Sequence, residues 1–423
     1  MATKKKEKEP EVAAHIQQEY MRTGCDLLDL LIGGDKGVYG LPYGTILNII
    51  GDKSAGKTFV KNEILAANYW RFKDRFVFHS DDCESGDTFD SMRLYNVDLH
   101  PEEHKIGPKR IGDSATVEQM DAQVSLVLSS MEPGQVGIYA IDSLDGLSDA
   151  TREAMEAKRL SLLKSDEDVV DPGDYGAQIA KFMSQQFFRV KHKKLSDAQL
   201  SVIIVSQIRE NMKAGLYGPK WTVSCGKALE FYAHTRIFLK TIYQIKRGDR
   251  IVGAYVSATT QKSKTPRPYR TVFFTVFFDY GIDNIGSNLD FLFDLRTKDG
   301  ELNKGAKEIT WSESARKKDL EGLTAWLTEK KLLADCKEAK KTKTGSSALS
   351  IDYVLRWIAE KPELQESFDH EFGKTYTRTE LIDLLEKREN AAMCEELTRR
   401  VREKWERIED SIKTGRPGKY SQE

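Results

Sequence analysis

Short apolar runs, each closed by glycine or by polar residues, punctuate the first two thirds of the chain. Ile46–Ile50 is apolar and rich in β-branched residues, the pattern of a strand buried in a parallel sheet, and Phe59–Trp70 continues with helical spacing. Arg75–His79, Val136–Ile141 and Ser201–Val205 repeat the strand pattern, and Thr271–Phe278 (TVFFTVFF) reads as a further core strand with both faces buried. Beyond residue 350 the pattern turns helical. Ile351, Val354, Leu355 and Ile358 fit one helix stopped at Pro362, Thr377 with Glu380 forms a capping box for a second, and Met393, Leu397, Val401 and Ile408 line a third. Near the N-terminus, Val12, Ile16 and Tyr20 recur every fourth residue after a charged stretch. They predict a short amphipathic helix that buries its stripe on its own domain or on a neighbouring subunit.

The strands matter for the residues at their carboxyl ends, where open α/β sheets place their ligands. After Ile46–Ile50 comes GDKSAGKT: Gly51, Asp52, Lys53, Ser54, Ala55, Gly56, Lys57 and Thr58 fill the G-x-x-x-x-G-K-[ST] pattern of a phosphate loop. Glycine is needed where backbone N–H groups crowd round anionic oxygens, and the following helix adds the positive end of its dipole. In this setting Lys57 reaches the β and γ phosphates and Thr58 holds Mg²⁺. Arg75–His79 delivers Asp81, Asp82, Cys83 and Glu84, and an acid there can polarise water. Val136–Ile141 ends in Asp142-Ser143, the arrangement that holds the magnesium shell, with Asp145 as the weaker alternative. Ser201–Val205 ends in Ser206-Gln207-Ile208-Arg209, where a strand-end amide can sense a γ-phosphate and pass its state to the next loop.

Composition narrows the classes without choosing among them. The 423 residues exceed one ordinary domain, and 65 Lys+Arg against 66 Asp+Glu leave no globally basic coat, so a basic surface must be local. Between Lys240 and Arg270 eight basic residues accompany the single acid Asp249. The five cysteines are scattered without a C-x-x-C pair, as in a reducing compartment. No apolar run is long enough to span a bilayer and MATKKKEKEP lacks a signal segment, so the expectation is a soluble, cytoplasmic protein with no membrane partner.

The order of the motifs resembles that of bacterial and phage RecA-type recombinases. Thr23-Gly24, Leu28-Asp29, Gly33-Gly34 and Leu41-Pro42-Tyr43-Gly44 precede the phosphate loop as they do in that family, and the likeness runs over about residues 23 to 295. The resemblance implies an α/β fold, a RecA-like P-loop ATPase core on a twisted, mostly parallel sheet. To this are added a small α/β appendage and a C-terminal helical module. It implies Glu84 as the residue that activates the attacking water, with Asp82 as the alternative, and Gln207 as the sensor. It places Ser91 where the family often stacks an aromatic on adenine. Lys262 and Lys264 fall 31 and 33 residues beyond Phe231, the spacing at which the family sets two lysines against the γ-phosphate of a neighbouring subunit.

For DNA, the resemblance implies a first loop within 150–176, here with the acidic run Ser165–Asp168, and a second loop from Glu210 to Arg236. Arg209, Lys213, Tyr217, Lys220, Trp221, Gly226 and Lys227 are its candidate contacts, basic and aromatic side chains suited to single strands. The expected organisation is an arm at 1–22 with an oligomerisation helix, a core at 23–282 and an appendage at 283–336. A linker at 337–349, a helical module at 350–414 and a tail at 415–423 complete it. The expected activity is an ATP- and Mg²⁺-dependent, DNA-stimulated ATPase that forms filaments on single-stranded DNA and pairs it with homologous duplex in recombination and repair, in a bacterial or phage-infected cell. A recombination mediator or a single-strand-binding protein would be a natural partner. Two other readings remain open: a paralogue that regulates another recombinase with weak turnover, and a ring-forming motor on the same core.

Overall fold

The computed structural model describes residues 18–33, 38–87, 89–100, 105–106, 109–110, 112–150, 152–154, 177–210, 221–223, 226–264, 267–303, 309–312 and 319–412. Its contacts divide the chain into two units. The first comprises residues 1–288 with 398–423, and the second 289–397.

The first unit is built on one mixed sheet. Helix α1 (Asp26–Gly33) precedes strand β1 (Ile46–Gly51), and helix α2 (Lys57–Phe72) leads to β2 (Phe76–Asp81). Then come α3 (Ser91–Tyr95), α4 (Val117–Ser130), β3 (Val136–Ile141), α5 (Phe188–Asp197) and β4 (Leu200–Glu210). Strand β5 (Trp221–Val223), helix α6 (Gly226–Tyr232), and strands β6 (Thr235–Arg247), β7 (Arg250–Ser263), β8 (Thr271–Phe277) and β9 (Gly281–Asp283) complete the unit's sheet. The strand order is β9-β8-β7-β6-β1-β4-β3-β2, with β5 paired to β4. Neighbours from β6 to β2 run parallel, while β7, β8 and β9 add antiparallel. Every residue of β1 and of β3 is buried, as strands inside a parallel sheet require, and Asn48 within β1 donates to the Ile204 carbonyl at 2.9 Å. Because β1, β2, β3 and β4 are parallel, their carboxyl ends share one edge. Register then fixes neighbours: Gly51 pairs with Gln207 and Asp81 with Ile141.

Strands β6 and β7 pair far beyond the rest of the sheet. β6 leaves β1 at Leu239, and the outer part of the hairpin exposes Lys240, Lys246, Arg247 and Arg250. Arg267 and Arg270 do not belong to that surface. Arg270 is buried and donates to the Leu31 carbonyl at 2.6 Å, and Arg267 pairs with Glu409 at 2.5 Å.

The second unit departs from the expected boundaries. Strand β10 (Ile309–Trp311) pairs antiparallel with β11 (Lys374–Tyr376), so the expected appendage and helical module share one small sheet. Helices α7 (Leu320–Glu329), α8 (Leu333–Thr344), α9 (Ile351–Ala359) and α10 (Pro362–Phe372) pack around Trp326. The stretch expected as a linker at 337–349 is for the most part helix α8, anchored by fully buried Cys336 just before its lysine-rich exposed face. Pro362 begins α10 at a position where its missing N–H costs nothing. The capping box of Thr377 and Glu380 opens α11 (Arg378–Leu385). Helix α12 (Ala391–Ile412) begins in the second unit, but from Thr398 onward it belongs to the first. At the N-terminus, Val12 and Ile16 lie outside the described residues, and Tyr20 sits in a two-residue strand with Met21. Cys25, Cys83, Cys336 and Cys394 are free thiols.

Candidate active site

The phosphate loop joins β1 to α2 in a conformation only its sequence allows. Gly51 lies against β6, where a Cβ would meet the Leu239 carbonyl oxygen at 2.5 Å, and Gly56 caps α2 at φ +82°. The Lys57 ammonium folds back onto the loop, donating to the carbonyls of Asp52 at 2.7 Å and Gly51 at 3.1 Å. Burial lowers the pKa of Lys57, while the carboxylates of Asp142, Asp52, Glu84 and Asp145 oppose that shift. Anionic phosphate would meet the charged form of this group.

Thr58 Oγ1 donates to Asp142 Oδ2 at 2.8 Å. A hydroxyl and a carboxylate oxygen this close, beside a phosphate loop, are the oxygen donors a Mg²⁺ ion takes alongside phosphate and water, so the residues fit that ion. Asp145 serves the backbone instead: its Oδ2 accepts from the Gln207 N–H at 2.9 Å.

The three acids at the carboxyl end of β2 separate by their partners. Asp81 is buried and accepts from Ser114 N and Oγ, both at 2.7 Å, and from the Tyr139 hydroxyl at 2.6 Å. Asp82 is buried too, its Oδ2 taking the Asp87 N–H at 2.8 Å. Glu84 is exposed and turned to the neighbouring strand ends. The Ser143 hydroxyl donates to it, and the Gln207 amide donates to both of its oxygens at 2.9 and 3.0 Å. Gly146 lies beside it with no room for a side chain: a Cβ there would meet Glu84 Cγ at 2.9 Å. Glu84, Gln207, Lys57, Thr58 and Asp142 thus stand on one sheet edge.

Ser91 is internal, its Oγ accepting from the Leu99 N–H at 3.0 Å, and offers nothing to a base. Phe278, partly exposed and stacked with Phe59 at 6.3 Å, is the aromatic surface next to the phosphate-loop helix. Sequence reading passes over Phe278 as the end of an apolar strand. It also passes over Ser143 and Lys61; a lysine among apolar helix positions is the available signal for Lys61.

Lys262 and Lys264 stand away from this edge, beside α6. The Lys262 ammonium donates to the carbonyls of Glu230 and Phe231, the latter at 2.6 Å. Phe231 itself is 70% exposed. Lys264 is exposed, its N–H bonded to the His234 carbonyl at 2.8 Å. Burial lowers the pKa of both lysines, and for Lys262 the charge of Lys264 adds to it. His234 stacks on His192 at 6.0 Å and is pushed down to about 4 by burial and then by Lys264. Neither lysine is brought to Lys57 within this chain.

Of the expected DNA contacts, Lys213, Tyr217 and Lys220 lie outside the described residues, as does 155–176. The backbones of Arg209 and Trp221 lie on β4 and β5, which pair where Arg209 faces Thr222. Gly226 opens α6, and Lys227 is exposed on it.

A sequence model of the RecA N-terminal domain matches residues 165–283. The DNA repair protein recA homolog 3, mitochondrial, of Arabidopsis thaliana is 28% identical over 271 residues, 63% of this chain and 55% of that protein. Protein RecA of Chloroherpeton thalassium is 27% identical over 282 residues, 67% of this chain and 70% of that one. The chain is thus similar to RecA-type proteins at 27–28% identity. It spans about half the length of the plant relative. A crystal structure of the RadB recombinase aligns at 13% identity with a TM-score of 0.40, covering 62% of this chain and 98% of that one. Among the described residues no helix is long and apolar enough to cross a membrane.

Proposed function

We propose that this RecA-type chain is a DNA-dependent ATPase that assembles on single-stranded DNA and promotes homologous pairing and strand exchange. The observation that carries the reading is the bond from Gln207 to Glu84. Gln207 lies on β4, the strand that runs on through Arg209 towards the segment expected to hold DNA, so one side chain joins the hydrolytic acid to that loop. A γ-phosphate or its attacking water competes for the same amide, and the amide's choice of partner then shifts β4 and the loop beyond it.

In this reading Lys57 and the N–H groups of residues 51–58 hold the phosphates of ATP, and Thr58 with Asp142 holds Mg²⁺. The ion neutralises charge between the β and γ phosphates when bound. Glu84 orients the attacking water and takes its proton. Lys262 and Lys264 serve the nucleotide of a neighbouring copy, where cations stabilise the charge of the transferring phosphoryl group. A site completed in this way requires self-assembly, and a helical filament supplies it. Lys227, Arg209 and the aromatic and basic residues between β4 and α6 are the DNA contacts, with the β6–β7 hairpin as an added basic surface.

The test is steady-state ATP hydrolysis with and without single-stranded DNA, with electron microscopy of the same samples. DNA stimulation together with helical filaments is the expected result. Neither stimulation nor filaments would replace this reading with a regulatory paralogue, and closed rings with a ring motor.

A further inference from the structure

Lys61 lies one turn beyond Lys57 on α2, so both side chains leave the helix on the same face. Its side chain is completely buried. The ammonium stands 2.8 Å from Asp87 Oδ2 and 3.3 Å from Asp142 Oδ2. A buried cation must be paired, and this one is divided between two carboxylates. The Asp142 oxygen it approaches is the one that accepts from Thr58 Oγ1, the oxygen pair that fits Mg²⁺. The Asp87 oxygen is well supplied: Asn62 Nδ2 donates to it at 3.0 Å and His100 Nε2 lies 2.9 Å away.

We propose that Lys61 and Asp87 form a counter-ion pair that sets the affinity of the Thr58–Asp142 site for its divalent cation. The inference rests on the reading that ATP and Mg²⁺ bind at this edge. An ammonium and a metal ion are rivals for Asp142 Oδ2. Asp87 is the partner that keeps the ammonium when the metal arrives, so Lys61 is a positioning residue that acts through Asp142.

Removing one member of the pair therefore has the opposite effect to removing both. In Asp87→Asn the ammonium keeps Asp142 as its only carboxylate, and metal affinity falls by about tenfold, the usual scale for groups behind metal ligands. In the neutral pair Lys61→Met with Asp87→Asn the rival cation is gone, and affinity rises above that of the unmodified chain by about the same factor.

The probe is Mn²⁺, its free concentration read by electron paramagnetic resonance in the presence of a non-hydrolysable ATP analogue, with metal-free binding of the analogue measured alongside. Opposite shifts in the two variants, with metal-free binding unchanged, are expected. A merely structural pair would weaken both variants, and that result, or an unchanged Mn²⁺ affinity in either, overturns the proposal. If Asp87→Asn does not fold, the neutral pair decides alone: only tighter binding supports the proposal. An unmodified chain that bound neither analogue nor Mn²⁺ would remove the ATP reading itself. One that bound both, with unshifted variants, would remove only this inference.

Discussion

Gln207 donates its side-chain amide to both carboxylate oxygens of Glu84, at 2.9 and 3.0 Å, joining the ends of two strands that lie 123 residues apart in the chain. The same contact separates Glu84 from its neighbour Asp82, whose carboxylate is buried and committed to the Asp87 N–H. One acid faces the phosphate loop's edge, and the other builds the turn that presents it.

Glu84→Gln should lower kcat by about 10²–10⁴-fold, the range for losing a general base, while ATP binding is kept. Asp82→Asn should leave kcat nearly intact and cost about 1 kcal/mol of stability through the weakened turn. Single-turnover hydrolysis beside urea unfolding of both variants checks this. A larger kcat loss in Asp82→Asn than in Glu84→Gln would exchange their roles. Gln207→Ala should bind ATP normally and lose the stimulation of hydrolysis by single-stranded DNA.

The lysine pair makes a prediction about assembly. Lys262→Ala with Lys264→Ala should bind ATP as before yet lose turnover, because within one chain the Lys262 ammonium sits on α6 carbonyls and neither lysine is brought to Lys57. Lys57→Ala should lose turnover through its own site. Mixing the two inactive proteins should restore part of the activity, since a neighbour of one kind completes the site of the other. A mixture as inactive as its parts would show that the lysines do not act between copies.

Much of the active edge is legible in the sequence because each piece is local. A glycine-rich turn between an apolar strand and a helix, and an acid or amide closing an apolar strand, announce themselves within ten residues. Parallel register then brings them together. The hidden remainder depends on contacts made at long range. The position of Lys61 among apolar helix residues hints that it is buried, but its partners Asp87 and Asp142 come from 26 and 81 residues away. Arg267 and Arg270 count towards a basic surface until Glu409 and Leu31 take them. The lysine-rich stretch after Cys336 has the composition of a linker, yet one buried thiol and a clean helical register hold it in α8. The strand pairing of Ile309–Trp311 with Lys374–Tyr376 leaves no trace in either three-residue segment.

A buried carboxyl on α2 predicts a pH effect. Burial pushes the Glu63 carboxyl up to about 7 from its ordinary 4.5, although the Ile282 backbone pulls it down, and Glu63 Oε2 has no hydrogen-bond partner among the described residues. Below the ordinary value the folded and unfolded chains are both protonated there, and Glu63 contributes nothing. As pH rises from there to about 7 the unfolded chain gives up its proton first, so stability falls by about 3 kcal/mol and then levels off. Glu63→Gln should therefore be more stable than the unmodified chain at about pH 8, with most of that advantage gone near pH 5. Urea midpoints at the two pH values measure it, and an advantage equal at both would exclude this origin.

The last turns of the chain predict where the first unit ends. Sequence patterning puts a boundary before residue 350 and assigns everything to 414 to a separate helical module. In the structure Thr398 Oγ1 donates to Asp26 Oδ2 at 3.0 Å, Trp405 is buried with the Arg270 guanidinium 5.7 Å from its ring, and Arg267 bonds Glu409. These contacts reach α1 and the segment that leads into β8, so the second half of α12 acts as part of the first unit. Burial of an indole is the largest single apolar contribution among them, and Trp405→Ala should cost about 3–5 kcal/mol. The loss should appear in the transition that also abolishes nucleotide binding, followed by unfolding in urea with a fluorescent ATP analogue present. If nucleotide binding survived to the unmodified midpoint while only the helical signal shifted, the helix would belong to the second unit and the boundary read from sequence would stand.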